Sequence, residues 1–81
     1  MTKLGDLTPG TKGKIVKVEG RDAIHRRLLD MGVVRGTEFE VEKKAPLGDP
    51  IEIKIMGYHL SLRKYEAETI IVEEGKEVSN G

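Results

Sequence analysis

Eighty-one residues suffice for one small domain with a core of about a dozen side chains, because so short a chain buries only about 60–65% of its unfolded surface. Fourteen basic residues balance fourteen acidic ones, which argues against a dedicated nucleic-acid binder, whose affinity rests on a clustered basic excess. The absence of cysteine excludes a disulfide framework, a thiolate zinc site and a cysteine nucleophile, and no apolar run approaches a membrane span or a signal-peptide core, so a soluble cytoplasmic domain is expected.

Leu4 and Leu7, followed by Thr8-Pro9-Gly10-Thr11, read as an entry segment and a reverse turn. Lys12 to Glu19 is the first predicted strand, with Val16 and Val18 alternating with Lys17. Gly13 within it marks a bend or a close backbone approach. Arg21 to Met31 is predicted as a helix. Ile24, Leu28 and Met31 recur at helical spacing, Ala23 and Leu29 complete the apolar stripe, and Asp22 in the first turn complements the helix dipole. So short a helix depends on packing rather than propensity. Gly32 suits the left-handed residue just past a helix, and Gly36 a tight turn into the next strand.

From Thr37 to Lys44, Phe39 and Val41 alternate with Glu38, Glu40 and Glu42, the period of a half-buried strand. Ala45-Pro46-Leu47-Gly48-Asp49-Pro50 is a loop. Ile51 to Met56 is a strand with Ile51, Ile53 and Ile55 inward, and Gly57 is a hairpin tip. In the strand Tyr58 to Leu62, Leu60 and Leu62 share one face and His59 and Ser61 the other. Arg63 to Glu68 fits a single helical turn, and Thr69 to Val72 closes as a fifth strand. Residues 1–74 then form a single domain and 75–81 a polar, disordered tail. The predicted fold is mainly β: a small SH3-like, partly open barrel of about five strands, with one inserted helix and a one-turn helix before the last strand. Closure of so small a sheet removes exposed edges.

Three blocks in this order, Arg27-Leu28-Leu29-Asp30-Met31-Gly32-Val33-Val34-Arg35-Gly36-Thr37, then Ala45 to Pro50, then Gly57 to Arg63 with Ala67, resemble the ferrous iron transport protein A family, FeoA. The likeness runs from about Lys3 to Glu73. It implies an SH3-like domain and a small cytoplasmic accessory of bacterial ferrous iron uptake. The partner it implies is a membrane permease, FeoB, that carries a cytosolic GTPase domain. A related SH3-like domain ends some iron-dependent repressors, but this chain lacks their DNA-binding and dimerisation segments.

The residues themselves give little for catalysis. There is no glycine-rich phosphate loop, and Ser61 and His59 share a strand face without a third orienting group, so neither an enzyme nor a cofactor is expected. His25, His59, Glu52, Asp49 and Asp30 are the available metal ligands. His25 sits in no two-ligand helical spacing and His59 alternates onto the solvent face, which favours two exposed histidines over a metal site. A partner surface has more behind it. Arg26, Arg27, Arg35 and Arg63 surround the helix, its exit and the hairpin strand, where guanidinium forks can engage carboxylates or phosphates, or else pair with Asp30 and Glu66. Met31 belongs to the core or to an apolar patch, and one of the adjacent Val33 and Val34 must approach the surface. Leu47 gains nothing from exposure at its loop tip unless something covers it. Gly57 and Tyr58 read as hairpin chemistry, and Tyr65 as a half-buried core edge.

The candidate partner-binding residues are therefore Arg27, Met31, Val34, Arg35, Leu47 and Arg63. The expected function is a non-catalytic module that docks on the GTPase-bearing ferrous iron permease and modulates its assembly or transport. That partner would hold it at the inner face of the membrane without insertion. The alternative is a metal-responsive module binding ferrous iron through His25 or His59. RNA binding, suggested by fold analogy alone, lacks a basic stacking platform. An open edge strand leaves room for weak self-association.

Overall fold

Alternating apolar residues produce the strands that dominate the computed structural model, which describes residues 1–75. In chain order the elements are β1 (Thr2–Lys3), a 3-10 turn (Leu4–Asp6), β2 (Lys12–Val18), α1 (Asp22–Asp30), β3 (Glu38–Lys44), β4 (Ile51–Ile55), β5 (Tyr58–Leu62), α2 (Lys64–Ala67) and β6 (Ile70–Glu74). They form one six-stranded antiparallel sheet in the order β1-β6-β2-β3-β4-β5. The mainly β architecture, the inserted helix and the one-turn helix before the last strand agree with the sequence. The additional strand, β1, pairs Thr2 with Val72 and Lys3 with Ile71, and two residues are too few to carry a periodic signal.

The inward rows are those the alternation predicts. Phe39 and Val41 of β3, Ile51, Ile53 and Ile55 of β4 and Leu62 of β5 are buried together with Leu4, Leu28, Val33, Ile70 and Val72. In β2 the phase differs from expectation. The register with β6 shifts between Ile15 and Lys17, leaving Val16 as an extra, unpaired residue. That bulge lets Ile15 and Val18 both pack on the core although they lie three apart. A second register shift, between Val41 and Lys43, sets Glu42 outside the β3–β4 ladder.

Helix α1 has the extent expected, with Arg21 and Met31 as its end caps, but its buried stripe is narrower. Leu28 is buried, Ile24 and Met31 are half-buried against the core, and Ala23 and Leu29 are exposed. Tyr65, read as a half-buried core edge, is instead 54% exposed. The Gly75 N–H donates to the Lys12 carbonyl at 2.7 Å, continuing the pairing of β6 with β2. The rest of the expected polar tail, 76–81, lies outside the described residues.

Gly13 of β2 is a point of close approach, as its place within a strand suggested. A Cβ there would run into the Glu73 carbonyl oxygen and sit 3.1 Å from the Glu74 Cα, and both obstacles are backbone. Gly13→Ala should therefore destabilise the domain by about 1–3 kcal/mol, the usual range for overpacking. Urea unfolding at unchanged m-value measures it.

Candidate partner-binding surface

Two tight turns, one after α1 and one between β4 and β5, build the most distinctive surface of the molecule. The helix ends as its glycine foretold. Gly32 is left-handed at φ 92°. The Val33 N–H donates to the Leu28 carbonyl at 2.9 Å and the Gly32 N–H to the Leu29 carbonyl at 3.0 Å. This is a Schellman closure, which satisfies the last helical carbonyls. Its accompanying apolar contact is Val33 with Leu28, both 0% exposed. Val34 then faces outward at 39% exposure. A turn from Val34 to Thr37, with Gly36 at φ 88°, leads into β3.

The second turn joins the Ile55–Tyr58 pair through Met56 at φ 51° and Gly57 at φ 84°. Two successive positive φ values make a type I′ hairpin, which normally recruits Asn, Asp or Gly. A methionine in this strained conformation, with its side chain 67% exposed, is an unusual residue for the place.

These turns touch. The Tyr58 hydroxyl donates to the Met31 carbonyl, and a Cβ on Gly32 would sit 3.0 Å from the Met56 Sδ and 3.1 Å from the Tyr58 Oη. Half-buried Met31 and exposed Val34, Met56 and Tyr58 thus gather around one seam. Arg35 stands exposed beside them and, among the described residues, has no ion-pair partner. Met56 and Tyr58 were not among the expected site residues. Their signal in the sequence was a large apolar residue at a hairpin tip where a small polar one serves better.

The other expected residues lie elsewhere and are engaged differently. Glu66, only 1% exposed, accepts the Arg63 backbone N–H at 2.9 Å, and its other oxygen lies 3.3 Å from the Arg27 Nε. Arg27 is therefore a clasp between α1 and α2. The Arg63 guanidinium meets Asp49, with Nε 3.3 Å from Oδ1, and Asp49 also accepts the Lys64 N–H at 3.1 Å. Arg63 thus ties the start of α2 to the β3–β4 loop. Leu47, 87% exposed, stands on that loop, whose base is held by the Lys44 ammonium donating to the carbonyls of Gly5 and Leu7 at 2.8 and 3.1 Å.

His59 lies on the outer face with its Nδ1 2.6 Å from a Glu42 carboxylate oxygen. Glu42 is thus an orienting group for His59 that the sequence did not reveal. No hydrogen bond joins Ser61 to His59 among the described residues. Nor do three His, Asp or Glu side chains gather anywhere among the described residues in a way that could hold a metal ion.

The FeoA domain model matches residues 2–74. Among curated proteins, an Fe(2+) transport protein A/Fe(2+) transporter FeoB fusion protein of Porphyromonas gingivalis is 44% identical over 71 residues, which are 88% of this chain but only 8% of that protein. The chain therefore spans a small fraction of that relative. Two solved structures are similar over most of their length. An FeoA-like protein of Clostridium acetobutylicum shares 43% identity at a TM-score of 0.83, covering 100% of this chain and 98% of that one. The zinc complex of FeoA from Stenotrophomonas maltophilia, an SH3 domain protein, shares 30% at 0.80, covering 90% and 91%. The open antiparallel sheet is accordingly SH3-like.

The difference between Arg27 and Arg35 is measurable. Arg27→Ala leaves the Glu66 carboxylate short of a partner and should cost about 1–2 kcal/mol, a value reduced by the exposure of the guanidinium. Arg35→Ala should stay within about 0.5 kcal/mol of the parent, as surface substitutions do. Paired urea denaturation curves give both values.

Proposed function

Because the chain belongs to the FeoA family, which is involved in ferrous iron transport, we propose that it is a non-catalytic accessory that docks on a FeoB-type ferrous iron permease from the cytoplasmic side and modulates its assembly or transport. The observation that carries this reading is the fusion. In the Porphyromonas gingivalis relative a segment like this chain shares one polypeptide with the transporter. Tethering raises effective concentration without any new contact, so a domain that works untethered must supply through a surface what the fusion supplies through a covalent link.

The seam between the two turns suits that task. Met31, Val34, Met56 and Tyr58 offer an apolar centre containing a tyrosine, and at its rim Arg35 gives a guanidinium that has no ion-pair partner among the described residues, the composition typical of interface anchors. Arg27 clasps α1, whose exit forms part of this surface, to α2, Arg63 ties α2 to the β3–β4 loop, and Leu47 is a separate apolar tip on that loop. No helix among the described residues is long and apolar enough to cross a membrane, which fits attachment through a partner. The Stenotrophomonas maltophilia relative is put forward as an activating factor for bacterial ferrous iron transport, and activation is the direction we assign here. A metal-responsive role through His25 or His59 has less support, since His59 already bonds Glu42 and no ligand group assembles among the described residues.

The test is capture of the permease's cytosolic region by this domain in GDP and GTP-analogue states. Val34→Asp and Arg35→Glu should each weaken binding at least about tenfold, as loss of a central contact does, with circular dichroism unchanged. Absence of binding in both nucleotide states, or binding indifferent to both substitutions, overturns the proposal.

A further inference from the structure

Strand β5 lies at one edge of the sheet and pairs with β4 alone. The two-residue hairpin makes Ile55 and Tyr58 a hydrogen-bonded pair, and antiparallel pairing then alternates along the strand. The backbone groups of Tyr58, Leu60 and Leu62 thus face β4, and those of His59 and Ser61 face outward. Neither His59 nor Ser61 has another backbone hydrogen bond among the described residues.

Natural sheets guard such edges with lysine, proline, bulges or extreme shortness. The opposite edge obeys that rule, since β1 has two residues and ends in Lys3. Strand β5 does not. It runs five residues, Tyr-His-Leu-Ser-Leu, without lysine or proline and in unbroken register with β4. His59 and Ser61 are both exposed.

We propose that β5 pairs antiparallel with β5 of a second copy of this chain about a two-fold axis at Leu60. His59 then faces the second copy's Ser61, each pair exchanging the backbone donors and acceptors left open in the single chain. Leu60 faces its own equivalent, and Tyr58 faces the second copy's Leu62, on the inner side of the joined sheet. The outer row is electrically compatible. It runs Glu40, Lys54 and His59, then the second copy's Ser61, Glu52 and Lys43, so no like charges meet at the junction. A second copy fits better than an arbitrary extended strand because this strand is its own complement and the two-fold closes on itself. With five residues a side the contact is small, and the dimer is a weak one.

The experiment uses the full chain, diluted from millimolar to micromolar, followed by sedimentation velocity and amide hydrogen exchange. A dimer should form at the high end and dissociate on dilution. The His59 and Ser61 amides should exchange at least about tenfold more slowly in the concentrated sample, while Leu60, bonded to β4, stays protected in both. Ser61→Pro removes only an outward donor, and Ser61→Lys places a cation opposite His59. Both should abolish the dimer while Leu60 keeps its protection. A monomer at every concentration, or a dimer that survives both substitutions, overturns the proposal. Protection of His59 and Ser61 that arises only on adding the permease's cytosolic region also overturns it and assigns the edge to that partner.

Discussion

The left-handed turn at Gly32 is where the chain leaves α1, and the exposed surface at that end of the domain hangs on it. At φ 92° the residue admits no ordinary side chain. A Cβ there would also press on the Met56 sulfur and the Tyr58 hydroxyl. The same turn decides two neighbouring fates. Val33 folds back under the helix and is fully buried, while Val34 is turned out to solvent. It also brings the Met31 carbonyl to the Tyr58 hydroxyl, so the helix exit and the β4–β5 tip form one surface rather than two loops.

The last turn of α1 also depends on a buried charge, that of Glu66, which Arg27 meets. A carboxylate as enclosed as that of Glu66 is tolerable only when its oxygens are matched, and here one takes a backbone N–H and the other a guanidinium. The pairing fixes the orientation of α1 against α2 and, through Arg63 and Asp49, of α2 against the β3–β4 loop. Arginines that look alike in the sequence therefore divide by neighbourhood. Arg27 and Arg63 maintain the frame, while Arg35, placed after the turn, has no ion-pair partner among the described residues.

What was readable in the sequence follows the range of the interactions involved. Strands β4 and β5 have clean alternation because their pairing is unbroken, and the helix stop at Gly32 is a local backbone effect. Val16 defeats a period-of-two reading and Glu42, though outward as that reading has it, shifts the phase of the residues after it, since each is an extra residue whose place is set by the partner strand. The narrow buried stripe of α1 arises because the helix rests on the sheet over a short span, so Ala23 and Leu29 have nothing to cover them. Glu66 was among the partners the sequence offered these arginines, and Arg27 is the one that meets it, across 39 residues of chain; that Glu42 would meet His59 across 17 was not legible, because charge patterning carries no information over such a distance. Met56 was hidden by a reasonable assumption. A residue before glycine at a hairpin tip is read as turn chemistry, yet methionine is poorly suited to that backbone, and the mismatch was the clue to its exposed place in the seam.

Tyr58 connects the two surfaces the domain leaves open. Its ring closes the seam over Met31, and its backbone begins the edge strand. A second copy aligned along β5 brings Leu62 opposite this tyrosine, at the border of the Val34–Met56 patch. A ligand on the patch and a strand on the edge therefore press on one side chain from two directions. If the proposed docking and pairing are coupled through Tyr58, each alters the affinity of the other by the same factor, because coupling free energies are reciprocal. The sign depends on geometry: an occupant that keeps the Tyr58 hydroxyl on Met31 favours pairing, and one that pulls the ring outward opposes it. Coupling of that kind, where the proposed pairing and docking both hold, needs no more than the placement of one side chain.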